Sequence, residues 1–300
     1  QRYAGFSGMI YDVSNEAKVS YRSLPDLNRD LRAFLTRKYR DDDGLRQAWQ
    51  DADVSLGTVR FERPPQAWHS RRARDLELFR VQVAQRWLSA NVSALRATGD
   101  PHPVTDEYYL LPAGDAFDAR RHITFANIHS YGPWPAGLPR YYDRRMQGRG
   151  FAVGEFGRRH HPSMQDGGWG FLPEPEVLAF FRRLAFLTVG SGACTVNNWD
   201  WKDMRGCVFP WGLHYPNEMA PKKVAWQWRN TALFFRSFRP VHRPEDLWVV
   251  IPDQFLLGGR QAELEQRVIA AVTALAHTGH AFSVIRQYEL NRLRQGKPQG

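Results

Sequence analysis

Lysine is scarce in this chain. Of its 41 basic residues only six are lysine, so the net charge of +10 is carried by arginines scattered through helical stretches such as 70–86. Scattered arginine on solvated helix faces lacks the clustered basic footprint of a nucleic-acid binder, and no nucleic-acid partner is expected. Cysteine is scarcer: Cys194 and Cys207 are the two in the chain. They are too few for a disulfide scaffold, although one bridge between them stays open. Without paired His or Cys ligands at metal spacing they do not suggest zinc, so no metal is expected. Long apolar runs are missing as well. No segment reaches the roughly 18 residues of a membrane span, and no membrane partner is expected. No basic-then-apolar leader precedes the first strand, but the chain begins with Gln1, so a leader could lie upstream and localisation stays open. No internal repeat or low-complexity segment occurs. The run Asp41-Asp42-Asp43-Gly44 lacks the alternating ligands and terminal Glu of an EF-hand loop and reads as a solvated turn.

The chain is otherwise well supplied for a core. Its 300 residues are 43% apolar, enough for one large α/β domain and part of another. Eleven tryptophans add flat apolar rings with a polar edge, a chemistry that suits the faces of sugars as well as a protein core.

The organising stretch is GMIYDVSNE (8–16), an apolar β-type run ending in Asn15 and Glu16. A second, GRGFAVGEFG (148–157), ends in Glu155 between glycines. In a parallel α/β barrel the C-terminal strand ends form the active-site face, so carboxylates on different strands converge there. Such a pair can serve as acid/base and nucleophile of a glycosidase. Two further strand ends add to the pattern. HITFANIHSYGPWP (122–135) is read as a strand over 123–128 that delivers His129 and Tyr131, and ACTVNNWDW (193–201) ends in Trp199, Asp200 and Trp201. The two tryptophans can form a stacking floor for a sugar. A fifth strand is read in PVTDEYYLL (103–111), whose Asp106, Glu107, Tyr108 and Tyr109 take no role. His160 and His161 stand in a loop that is either substrate-contacting or merely connecting.

Between these strands the spacing predicts helices. Leu27, Leu31, Phe34, Leu35 and Tyr39 fall at helical period behind Asp26 or Asn28 as N-cap, and a shorter helix ends near Trp49. Residues 68–98 read as one amphipathic helix with Leu76, Phe79, Val83 and Trp87 on its stripe. PEPEVLAFFRRLAFLTVGSGA and 224–238 supply two more. At Arg239-Pro240 the character changes, and DLWVVIP, 261–277 and AFSVIRQYEL read as β-α-β of a second, flavodoxin-like α/β domain. Only five strand-and-helix units precede it, whereas a closed barrel needs eight. The fold expected is therefore a (β/α)8 TIM barrel lacking its first three units (1–240, with a helical insert at about 24–60), then the start of the second domain (241–300). A fragment of that kind is expected to be inactive alone.

Together these residues resemble the clan of retaining (β/α)8-barrel glycoside hydrolases. In that clan the acid/base Glu follows an Asn at the end of strand four and the nucleophile Glu ends strand seven. Asn15-Glu16 and Glu155 match those positions, His129 and Tyr131 match the strand-six residues lining the cleft, and Trp199 matches the strand-eight platform. The insert LRAFLTRKYRDDDGLRQAW resembles the segment after strand four in family 42 β-galactosidases, and the domain from Asp246 resembles their trimerisation domain. The contexts VGEFG and NIHSY look more like family 5 cellulases and mannanases, Ser14 stands where family 42 commonly has Asp, and the zinc-binding cysteines of the family 42 insert are absent. The resemblance implies a bacterial retaining β-glycosidase, most like an exo-acting β-galactosidase, with a family 5-like endo-β-glycanase and a non-catalytic carbohydrate-binding barrel as alternatives. It implies Glu155 as nucleophile, Glu16 as acid/base, Asn15 on the sugar 2-hydroxyl, and Tyr131 orienting Glu155. The partner would be an oligo- or polysaccharide, no cofactor is needed, and the C-terminal domain would build a homo-oligomer.

Overall fold

The computed structural model describes residues 7–16, 19–64, 70–108, 123–130, 151–158, 172–203, 211–216, 220–238, 240–241, 247–251, 261–287 and 290. These fall into two compact units, one within 1–124, 250–268 and 285–299 and the other within 125–249 and 269–284. Both contain strands and helices.

In the first unit, strand β1 (Tyr11–Asn15) pairs in parallel with β2 (Val104–Tyr108), Tyr11 opposite Val104 and Asn15 opposite Glu107. Between them the described chain holds three helices, α1 (Pro25–Tyr39), α2 (Asp42–Trp49) and α3 (Arg71–Arg96). Their apolar positions meet in one core of Leu31, Leu35, Leu45, Trp49, Phe61, Leu76 and Phe79. Three expectations are corrected here. Neither Asp26 nor Asn28 caps α1, because Pro25 occupies its first turn, where a ring-fixed φ favours the helix and the missing N–H costs nothing; the N-cap position falls to Leu24. Asn28 instead receives the Phe61 N–H on Oδ1 at 2.8 Å. The Asp run is not a free turn but the start of α2, with Asp41 Oδ1 accepting from Gly44 N at 2.8 Å. Trp87 is 42% exposed, and the inward stripe of α3 continues through Leu88 and Val92 instead.

The second unit holds β3 (Ala126–Ser130), β4 (Phe151–Phe156) and β5 (Ala193–Asn198), all parallel, with β4 between the other two. β3 starts and ends later than the expected 123–128, so His129 is its penultimate residue rather than the residue just past its end. Phe151, Ala152, Val153 and Phe156 are all buried, the continuous apolar run of a strand covered on both faces. Helix α4 (Glu174–Gly190) packs on β5 and on α5 (Lys223–Ser237). Phe156 anchors that packing, with ring centroids 4.9 Å from Phe181 and 5.1 Å from Trp228. After it, β6 (Leu247–Ile251) and β7 (Phe282–Arg286) pair in a two-stranded sheet, joined by α6 (Gln261–Ala276). Cys194 is a free thiol whose Sγ donates to Phe151 O. Among the described residues no helix is long and apolar enough to cross a membrane.

Candidate active site

Parallel pairing brings His129 and Glu155 into register on β3 and β4. Register partners point to the same face of a sheet, so the two side chains meet there. His129 Nδ1 stands 3.2 Å from Glu155 Oε2; the imidazole is fully buried and the carboxylate 12% exposed. The ladder is irregular between Ile128 and His129 and again between Val153 and Phe156. Such slips re-aim side chains near strand ends.

The end of β5 is tied to the same place. Trp199 N–H donates to Phe156 O at 2.7 Å, and Asn198 Nδ2 reaches the same oxygen at 3.3 Å. Gly157 makes this approach feasible, since a Cβ there would overlap the Trp199 carbonyl oxygen and press on the Trp211 ring at 3.2 Å. The Trp199–Asp200 peptide is cis. Trp201 is 61% exposed, with its ring 4.3 Å from that of His214.

The loop beyond Trp199 is held by charge as well as by backbone bonds. Asp203 and Lys222 form a buried ion pair at 2.6 Å, and Asp203 Oδ1 also accepts from Gly212 N at 2.9 Å. Leu213 N–H donates to Asp200 O and His214 N–H to Trp201 O, both at 3.1 Å. Asp200 Oδ1 is buried without a hydrogen-bond partner among the described residues. Burial, then the charge of Asp203, pushes the Asp200 carboxyl up to about 6, against the pull of Lys222; Glu155 adds a smaller upward push. Asp200, Asp203, Lys222 and Gly157 took no role in the sequence reading. Nothing local in the sequence marks them, since Asp203 and Lys222 are 19 residues apart and the room Gly157 provides depends on tertiary contacts.

Asn15 and Glu16 lie at the end of β1 in the first unit, both exposed. Glu16 has φ 52°, in the left-handed region that non-glycine residues seldom adopt. Tyr131, Tyr109, His160 and His161 lie outside the described residues, as do the side chains of Asp106, Glu107 and Tyr108.

No protein-family model matches the chain, and no curated protein does. Solved structures do. The β-galactosidase from Rahnella sp. R3 matches with a TM-score of 0.75 at 17% identity, over 95% of this chain and 46% of that one. The β-galactosidase from Bacillus circulans sp. alkalophilus matches with 0.70 at 15%, over 95% and 46%. GH5_18 from Streptomyces cattleya, solved with GlcNAc, matches with 0.56 at 15%, over 71% and 57%. The fold resembles that of TIM-barrel glycoside hydrolases. The chain spans a little under half the length of these β-galactosidases. In TIM-barrel enzymes the C-terminal strand ends carry the chemistry, and His129, Glu155 and Trp199 stand at such ends here.

Proposed function

We propose that the protein is a retaining glycoside hydrolase that cleaves β-glycosidic bonds, most like a β-galactosidase. The observation that carries this is the His129–Glu155 pair at the ends of adjacent parallel strands, beside the anchored Trp199. The names of the structural neighbours favour a β-galactoside as substrate.

In this reading Glu155 attacks the anomeric carbon as its bond to the leaving oxygen breaks, and Glu16 gives that oxygen a proton. Glu16 then takes a proton from water, whose oxygen attacks the same carbon and releases Glu155. Such a mechanism needs the two carboxyl groups about 5 to 5.5 Å apart. A proton on His129 Nδ1 would let it donate to Glu155, holding the carboxylate in line and favouring its charged form. Asn15 holds the 2-hydroxyl, Trp199 and Trp201 offer ring faces to the sugar, and Tyr131 orients Glu155. Residues 1–240 carry the barrel portion, and 241–300 open a second domain that resembles a trimerisation domain and supports a homo-oligomer.

The test is turnover of a nitrophenyl β-galactoside by the full-length protein and its variants. Glu155→Gln and Glu16→Gln each lower kcat/KM by about 10³-fold or more. Undiminished hydrolysis by either variant rejects the assignment.

A further inference from the structure

A depression of about 930 Å³ lies between the end of α1, the body of α2 and the start of α3, wholly within the first unit. Its size is that of a small-ligand site. Arg40, Gln47, Gln50, Ser70 and Arg71 line it, and none of its described lining residues is acidic.

The charge beneath it is already balanced. Asp75, buried under α1 and α2, accepts from Tyr39 OH at 2.6 Å and Trp49 Nε1 at 2.8 Å, and its other oxygen pairs with Lys38 Nζ. The acids on the neighbouring turns are engaged elsewhere: Asp41 on Gly44 N, Asp42 on Leu56 N, Asp43 on Arg46 and Asp51 on Arg72. Arg40 and Arg71 are exposed, and neither has a carboxylate partner among the described residues. Among the described residues, therefore, no carboxylate pairs with the two guanidinium groups that line the depression.

The backbone points the same way. Arg40 has φ 72° and ψ −50°, and Gln50 φ 55° and ψ 43°, each just after a helix. Gln50 adopts the left-handed helix end at which glycine is usual, Arg40 has a positive φ outside that well, and at either position a side chain costs about 1 kcal/mol relative to glycine. Among the described residues the only other non-glycine with positive φ is Glu16. At both helix ends the chain places a polar side chain on the rim of the depression where glycine would be more stable. Backbone strain of this kind clusters at ligand and active sites.

We propose that this depression is a second saccharide site that takes an acidic oligosaccharide, one bearing carboxylate or sulfate groups. Arg40 and Arg71 bind the anionic groups, since a guanidinium presents paired N–H donors that match planar or tetrahedral oxyanions. Gln47, Gln50 and Ser70 supply donors and acceptors to the hydroxyls. The saccharide part rests on the glycoside-hydrolase reading above; the anion part rests on the charges alone.

The experiment is calorimetric titration of full-length Glu155→Gln protein, in which turnover does not intrude. The probes are tetragalacturonate, a sulfated galacto-tetrasaccharide and neutral galactotetraose. At least one acidic probe is expected to bind about tenfold tighter than the neutral one, and Arg40→Gly and Arg71→Ala each to remove about tenfold of that affinity. Arg40→Gly also raises Tm, because it relieves the backbone while deleting the ligand contact. The tighter of the two acidic probes identifies the anionic group. Equal binding of acidic and neutral probes, unchanged affinity in both variants, or a lowered Tm in Arg40→Gly overturns the proposal. So does an oligonucleotide of equal charge that binds as tightly and loses as much in the variants, which reveals generic attraction. Loss of the catalytic reading shows instead as undiminished turnover in Glu155→Gln, a separate measurement.

Discussion

His129 Nδ1 lies 3.2 Å from Glu155 Oε2, and the two residues are register partners on parallel strands. The imidazole is fully buried, so it cannot swing away to solvent, and the carboxylate is held on one side by a fixed group. His129→Ala is expected to lower kcat by about 100-fold through loss of that positioning, with KM changing little. Steady-state kinetics on an aryl β-galactoside check this. A raised KM with kcat intact makes His129 a substrate ligand instead.

Gly157 is the second point of control. Its missing Cβ leaves room for the Trp199 carbonyl and the Trp211 ring. Gly157→Ala must push the end of β5 away from β4, and the expected outcome is a stability loss of about 1–3 kcal/mol with a loss of activity. Thermal unfolding and turnover measured on the same sample test both halves.

The buried Lys222–Asp203 pair holds the loop that carries both tryptophans. Lys222→Met strands Asp203 without its cation and is expected to cost about 3–5 kcal/mol. The double change Lys222→Met with Asp203→Asn recovers much of that loss, because the neutral amide oxygen still accepts from Gly212 N and no buried charge is left unpaired. Denaturant titration of the two variants tests this, and an equally unstable double variant contradicts it.

Asp200 gives stability a pH dependence of unusual sign for a carboxylate. Its folded value, about 6, lies above the ordinary 3.8, so the native state holds the proton more tightly than the unfolded chain. That contribution is fully present below about pH 4 and is lost as pH rises through 6. Asp200→Asn cannot ionise, so the difference in Tm between variant and wild type grows from pH 4 to pH 7 in favour of the variant. A constant difference across that range contradicts the assignment.

Much of the strand pattern was legible because parallel buried strands announce themselves as short apolar runs, and β4 and β5 stand where GRGFAVGEFG and ACTVNNWDW put them. The helical faces of α1 and α2 were legible from the spacing of Leu31, Leu35, Leu45 and Trp49. The carboxylate ends of the first and fourth strands and the Trp199 end of the fifth could be singled out from their context. What escaped is tertiary. Asp203 and Lys222 are 19 residues apart, and only the folded loop makes them partners. Gly157 looks like any glycine at a strand end until the Trp199 carbonyl is seen against it. Asp75 lies in a helix of mixed charge, and nothing local distinguishes it from the solvated acids around it. The pairing of His129 with Glu155 depended on strand register, which the apolar pattern alone does not fix.

The central claim is that Glu155 is the nucleophile of a retaining glycosidase. The most direct test is covalent trapping of the full-length protein with a fluorinated β-galactoside that accumulates as its glycosyl-enzyme, followed by peptide mass analysis. The account predicts a glycosyl label on the peptide containing Glu155, absent in Glu155→Gln. A label on another carboxylate, or inactivation that persists in Glu155→Gln, contradicts it.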